Sequence, residues 1–440
     1  MADQALAERF PRYALYAFIV GLPFHNVVMA ELWELGVRGL ALDVISAWKE
    51  ALLAAALGVV AWTRRGIPLK STSTDWLALA FAGFAVLYAV IPQDALGGNA
   101  SSEGILYGLR HALTPVAAYV LGRSLHLRRD DLRRVGVLVL GTATVVAAWG
   151  LLDVYAIPLD TWRNSGAPGW FSEQLGLDYG PAVSGLPENF VYNPGDERPL
   201  RRLVSTFLSP LATAYMLLVA LLVAAAWERA RWLNALSGLL LVGLLFTHSR
   251  TAIAALALAL LVLAWALRSW WPLAAATVLV VTGFFFVKAY PEIGPETTFT
   301  PAELEFQRAN ARQEPGASGD PTSFDEPSVD SHLDSLREGI RTVVRHPQGF
   351  GLGNAGVTAK RTGGEIKAGE STYTELGVEL GLLGMLAFVA WNLALLLRIL
   401  PRAPWLGAAL AGVLALGIQT DVIGVHWLAF VLWTLAGDRT

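Results

Sequence analysis

The feature that most limits how this chain folds is the recurrence of apolar runs as long as a bilayer is thick. A hydrocarbon core of roughly 30 Å takes about 20 apolar residues per helix, and about twelve segments of the 440-residue sequence reach that length. They lie near residues 13–31, 43–62, 75–91, 104–122, 134–156, 206–226, 232–247, 250–267, 271–289, 372–397, 404–419 and 422–437. Composition agrees, with 54% hydrophobic residues against 16% charged ones. The expected fold class is therefore an all-α polytopic membrane protein of about twelve transmembrane helices. The first apolar segment follows Arg9 and Arg12 without a small-residue cleavage site, so it is expected to stay as the first span.

Arg and Lys in short connections are retained on the cytoplasmic side, and this orients the spans. With the N-terminus inside, Arg64, Arg65, Lys70, Arg128, Arg129, Arg133, Arg134, Arg229, Arg231, Arg268, Arg398 and Arg402 all fall inside. The opposite connection from Ile91 to Gly104 carries no Lys or Arg, and an even number of spans returns Arg439 to the cytoplasm. Two long connections then lie outside, at 157–203 and 290–371. The chain divides accordingly into nine spans over 1–289, a large extracytoplasmic loop over 290–371, and the last three spans over 372–440. Within the large loop, helices are expected near Pro301–Arg312 and Val329–His346, where apolar residues recur at three and four. The intervening EPGASGDPTSFDEP reads as linker. No internal repeat points to a transporter built from two halves.

A net charge of −3, with the basic residues scattered over short connections, argues against a nucleic-acid partner. Absence of Cys excludes disulfides and thiolate metal sites. No close cluster of His with carboxylates has metal-ligand spacing.

Positive-inside bias makes an outward Arg an exception, and Arg250, in Phe246-Thr247-His248-Ser249-Arg250, is one. It either snorkels or pairs with a carboxylate, or it holds an anion, since a guanidinium fork matches phosphate oxygens. Arg201 and Arg202, at the outer mouth of the sixth span, face the same compartment and either anchor a helix end or join that anion site. Lys49, in the second span, either pairs with Glu50 or contributes to a polyanionic headgroup site. His332, Arg337, Arg341, Arg345 and His346 decorate one expected loop helix, mostly a solvated face, from which His332, Arg337 and Arg341 are kept as substrate-binding candidates.

The stretch Gly351-Leu352-Gly353-Asn354-Ala355-Gly356 spells GxGxxG, but no strand precedes it and no βαβ unit surrounds it, which excludes a dinucleotide fold. Its glycines suit tight turns or close backbone approach. Beyond it come Glu370, Glu375 and Glu379, with Gly377 and Gly381 spaced for close packing. Glu379 should lie roughly 14 Å deeper than Glu370 along a helix and reads as structural. Glu370, at the water boundary, reads either as a first-turn acid of the helix or as a general base.

Taken in order, Arg202-Leu203-Val204-Ser205-Thr206-Phe207, Thr247-His248-Ser249-Arg250, His346-Pro347-Gln348-Gly349-Phe350-Gly351-Leu352-Gly353 and the helix Tyr373–Gly384 make the chain resemble the O-antigen ligases and related polysaccharide polymerases. The resemblance implies a metal- and cofactor-independent membrane glycosyltransferase of the GT-C architectural type. Such enzymes move a glycan from an undecaprenyl-diphosphate carrier to a hydroxyl of an acceptor glycan or glycolipid, with inversion, at the outer face of the bacterial cytoplasmic membrane. It implies that Arg202 and Arg250 hold the diphosphate and that Tyr373 belongs to the substrate-binding surface. The family's frequent His-Asn pair is replaced here by Glu370-Ser371, which makes Glu370 the substitute base. Polymerase chemistry on the same fold, and a non-enzymatic flippase or exporter of lipid-linked glycan, are the alternatives. A flippase needs a polar route across the whole bilayer, whereas these cations gather at the outer ends of spans.

Overall fold

A computed structural model describes residues 2–180, 184–187, 189–194, 197–227, 231–313, 322–323 and 327–440. Most of the expected linker at 314–327, and Arg229 among the inside cations, lie outside the described residues. The architecture is helical. In chain order the helices are α1 (Ala2–Gly21), α2 (His25–Glu34), α3 (Leu40–Ser46), α4 (Trp48–Arg64), α5 (Ser73–Val90), α6 (Gln93–Leu96) and α7 (Ser102–Leu125). They are followed by α8 (Arg129–Ala156), α9 (Leu159–Arg163), α10 (Ala167–Gly169), α11 (Pro210–Ala226), α12 (Arg231–Phe246), α13 (Arg250–Leu267) and α14 (Trp271–Ile293). The series closes with α15 (Pro301–Gln313), α16 (Pro327–Arg345), α17 (Gly356–Arg361), α18 (Thr372–Ile399), α19 (Pro404–Leu416) and α20 (Trp433–Asp438).

A helix lies at each expected apolar segment. Among the described residues six of them are long and apolar enough to cross a membrane, or seven if α3 and α4, bent by 49°, form one span. Four more apolar helices, including α11 and α19, are shorter. Neighbouring helices surround α11, and all of Tyr215–Ala220 is buried at 2% exposure or less.

The core is knit by aromatic and small residues. Phe81 of α5, Tyr119 of α7, and Phe388 and Trp391 of α18 form one aromatic knot, with Phe81 and Trp391 stacked at 6.0 Å between ring centres. At one end of this knot Thr72 caps α5 and Asp75 completes the capping box, receiving also Arg123 Nε at 3.0 Å and the Tyr119 hydroxyl at 2.7 Å, which ties α5 to α7.

The first long connection is folded. Val191–Tyr192 (β1) pairs antiparallel with Leu200–Arg201 (β2), and Leu200 bridges to Glu296 of the second connection. Arg163 joins the two connections again through Glu303 at 2.6 Å and the Thr298 carbonyl at 2.8 Å. Both loop helices of the second connection form where periodicity placed them, as α15 and α16.

The glycine-rich stretch explains how α18 is built. Gly381 breaks the helix with φ 69° and ψ 172°, freeing backbone groups that a membrane core cannot hydrate. The stretch supplies them with partners: Phe350 N–H donates to the Val378 carbonyl at 2.6 Å, and Leu382 N–H donates to the Pro347 carbonyl at 2.8 Å. The approach is close because Gly349 sits at φ 71°, where an added Cβ would stand 2.5 Å from the Gly381 nitrogen. On the other side of the stretch, Asn354 donates to Gln93 and accepts from Asn99 N–H. Gly377 likewise admits Val343, and Gly339 admits Thr374, so α16 lies directly on α18.

Left-handed backbone costs a residue with a Cβ roughly 1–2 kcal/mol, and here a clash adds to it. Gly349→Ala should therefore lower stability by at least about 1 kcal/mol, read as a lower thermal midpoint in detergent and faster proteolysis of the 346–371 stretch. An unchanged midpoint would rule out this docking.

Candidate active site

Arg202 sits between β2 and α11 and is 8% exposed. Its Nε donates to the Thr247 carbonyl at 2.9 Å, one terminal nitrogen donates to Asn189 Oδ1 at 2.9 Å, and the other approaches the His248 carbonyl at 3.4 Å. Its hydrogen bonds thus run to neutral oxygens. Burial, with Arg250 close by adding repulsion, lowers Arg202 to about 10, so it stays charged at neutral pH. Arg250 is the first residue of α13, capped by Ser249, whose hydroxyl accepts from Ala252 N–H. Two guanidiniums therefore share one neighbourhood beside a helix N-terminus, whose free N–H groups and dipole favour an anion.

Other polar atoms point into the same region. The Tyr215 hydroxyl lies beside Thr251 and Thr420, yet no described residue completes a hydrogen bond to it. His248 Nε2 is buried and also lacks a partner among the described residues. The ring of His248 stacks on Tyr290 at 4.3 Å and lies tilted against Tyr192 at 4.4 Å.

The start of α18 reaches this region through the turn after α19. Ser371 donates to the Gly417 carbonyl, and Thr372 donates through its hydroxyl to the Thr420 carbonyl at 2.9 Å and accepts from Val422 N–H. Asp421 then pairs with His111 Nε2 at 2.9 Å and accepts the N–H groups of Ile423 and Gly424. Burial pushes the Asp421 carboxyl up, but His111 and the two N–H groups outweigh it, and the net shift is downward. Glu375, against Gly356, and Glu379, accepting Gly353 N–H at 2.9 Å, complete a buried acidic group. Among the described residues no group of His and acids is arranged to hold a metal ion.

Glu370 does not cap α18. Ser371 occupies the cap position, and Glu370 takes φ 69° and turns its carboxylate to His332 of α16, with Oε2 2.6 Å from Nδ1. Both side chains are about half exposed. The sequence suggested neither this pairing nor Tyr215, because the partners are 38 residues apart in one case and an unremarkable core tyrosine in the other.

The remaining candidates have other partners. Arg201 is buried at 2% exposure and bound to Asp153 Oδ2 at 3.0 Å and to the Ile157 carbonyl, facing away from the role of binding substrate. Lys49 pairs with Glu50 at 3.5 Å and approaches His25. Arg337 pairs with Asp334 on the exposed face of α16, where Arg341 is also exposed. Tyr373 donates its hydroxyl to the Leu414 carbonyl and so ties α18 to α19.

Burial first, then Arg202 and Arg250, holds His248 well below its ordinary 6.5. A His that stays neutral in the fold but protonates near 6.5 when unfolded contributes its full stability above that value, and the contribution is lost progressively as pH falls below it. Between about pH 7 and pH 5, the thermal midpoint of the wild type should drop more steeply than that of His248→Phe. Parallel slopes would mean that His248 titrates normally.

Residues 235–389, from α12 through the first part of α18, match the family described as O-antigen ligase. No curated protein matches the chain. The matched segment contains Arg250, the α16 helix with His332, the glycine-rich stretch and Glu370. The chain is thus a helical membrane protein in which residues 235–389 match an O-antigen ligase domain.

Proposed function

We propose that this protein is a membrane glycosyltransferase that moves a glycan from an undecaprenyl-diphosphate carrier to a hydroxyl of an acceptor glycan or glycolipid. The observation that carries the reading is Arg202, buried and charged, held by neutral oxygens next to Arg250 and the N-terminus of α13. A buried guanidinium beside a second, partly exposed one suits a diphosphate, whose oxygens a guanidinium fork binds through charge-assisted hydrogen bonds. In this reading the chain crosses the cytoplasmic membrane about twelve times in a GT-C arrangement. Both termini are cytoplasmic, the connections at 157–203 and 290–371 are external, and 1–289 and 372–440 form the membrane body.

The reaction follows from the chemistry of the parts. The acceptor oxygen attacks the anomeric carbon, the bond from that carbon to the diphosphate oxygen breaks, and the electron pair leaves with the lipid diphosphate. Attack opposite the leaving group inverts the centre. Arg202 and Arg250 offset the charge that grows on the leaving group, the role in which fixed donors accelerate most. The acceptor proton passes to the Glu370 and His332 pair: with Nδ1–H donated to Glu370, the opposite imidazole nitrogen carries the lone pair that accepts it. Arg201 keeps the mouth of α11 in place through Asp153, a structural part in the same machine.

Arg250→Ala should lower transfer at least about 100-fold in an assay of purified protein with lipid-linked glycan and acceptor, with the protein still monodisperse. Normal transfer would remove the diphosphate assignment. Glu370→Gln and His332→Gln should each cost on the order of 100-fold or more. As one unit they should lose little more in the double variant. Full activity in either single variant would take the proton-accepting role from the pair.

A further inference from the structure

A second basic group lies on the far side of the acidic residues, and one turn of α7 joins it to the site above. Gly108 of that turn packs against Gly353 and Glu379, and His111 binds Asp421. The neighbouring Tyr107 and Arg110 face α4 and α17 instead. Arg110 lies 3.8 Å from Glu50, whose other oxygen is 3.5 Å from Lys49 Nζ. The guanidiniums of Arg110 and Arg361 stand 5.1 and 4.3 Å from the centre of the same Tyr107 ring.

Lys49 and Arg110 thus flank Glu50, and Arg361 joins Arg110 on the Tyr107 ring. Glu103 and Asp43 are the other acids nearby, and they act on Arg361. His25 and His426 lie beside Lys49 and add no negative charge. Lys49 is 4% exposed, and one Glu50 oxygen is buried without a hydrogen-bond partner among the described residues. Arg361 gives only its Nε to the Leu175 carbonyl among its described hydrogen bonds. By contrast the Arg110 side chain is 37% exposed, so the basic group is open at that edge. Exposed surface ion pairs are weak and common, but here two arginines from different helices share one aromatic ring beside a buried Lys, and Arg110 leaves the group open to a ligand.

We propose that Lys49, Arg110 and Arg361, around Tyr107, form a subsite for the anionic group of a saccharide acceptor, a phosphate or carboxylate carried on the glycan or glycolipid. This rests on the glycosyl-transfer reading, and it adds the acceptor's chemical class. The carrier diphosphate has its own arginines, and Asp421, Glu375 and Glu379 lie between the two basic groups. A negative group on the acceptor is therefore held at the Arg110 end, while its hydroxyl is presented towards the centre.

The test uses the full-length protein in detergent, with thermal shift titrations of glucose 6-phosphate, glucuronate, inorganic phosphate and glucose. The anionic sugars should stabilise it, with inorganic phosphate weaker and glucose inert. Arg110→Gln and Arg361→Gln should each weaken the anionic sugars by about tenfold or more, the effect of losing one charged hydrogen bond. Arg110→Lys should keep part of the response, which separates lost charge from lost folding. Glucose as effective as its phosphate, inorganic phosphate as effective as either anionic sugar, or anion responses untouched by both Gln variants, would each overturn the subsite. So would an anionic-sugar response abolished by Arg250→Ala, because it would move the binding to the diphosphate arginines. The parent reading fails separately, by normal transfer in Arg250→Ala while the response at Arg110 persists.

Discussion

A guanidinium buried among carbonyl oxygens is the constraint from which the rest of the site follows. Taking a charge out of water costs several kcal/mol unless oxygens replace the lost hydration. For Arg202 the replacements are the carbonyls of Thr247 and His248 and the amide of Asn189. Those two carbonyls lie just past the C-terminus of α12, the negative end of its dipole. Neutral oxygens hold the cation without cancelling it, whereas Arg201, one residue earlier, is neutralised by Asp153. Two adjacent arginines thus have opposite fates, and the difference is whether a carboxylate is within reach.

The second dependence is mechanical. Glu370 meets His332 only if α16 is held against α18, and that packing requires Gly339 opposite Thr374 and Val343 opposite Gly377. The break at Gly381 lets the glycine-rich stretch insert its backbone into α18, which fixes Pro347 and Phe350 directly after α16 ends. The glycines that spelled a nucleotide motif are a backbone interface. Their positive φ values, 98°, 83° and 52° at Gly351, Gly353 and Gly356, serve close approach to Gln93, Gly104 and Glu375.

Apolar length made the helical segments legible, and Arg250 with the glycine-rich stretch pointed to the O-antigen ligase domain that residues 235–389 match. Partnership was not legible. Nothing local distinguishes Arg201 from Arg202, since Asp153 lies 48 residues away on α8. Glu370 fitted a first-turn acid as well as a base, and only the backbone turn at φ 69° removes it from the cap and sends it to His332. Arg110 drew no notice because it lies inside an apolar segment, and its relation to Lys49 and Arg361 needs three helices in place. Burial was the other gap: composition measures apolarity, but that neighbours cover all of Tyr215–Ala220 on α11 depends on packing.

Along α7 the charges alternate, and the alternation constrains any bound ligand. Arg110 faces Glu50 and Lys49, the next residue His111 faces Asp421, and Asp421 in turn acts with Arg202 on the Tyr215 hydroxyl. The net downward shift of Asp421 keeps it a carboxylate at neutral pH. An anion at the Arg202 end and another at the Arg110 end are each repelled by that carboxylate. In a low-dielectric interior such repulsion acts over several ångströms with little screening. Two anionic ligands are thereby kept from collapsing onto one basic site, and the space between them is left to a neutral group. In the proposed transfer that neutral group is the acceptor hydroxyl.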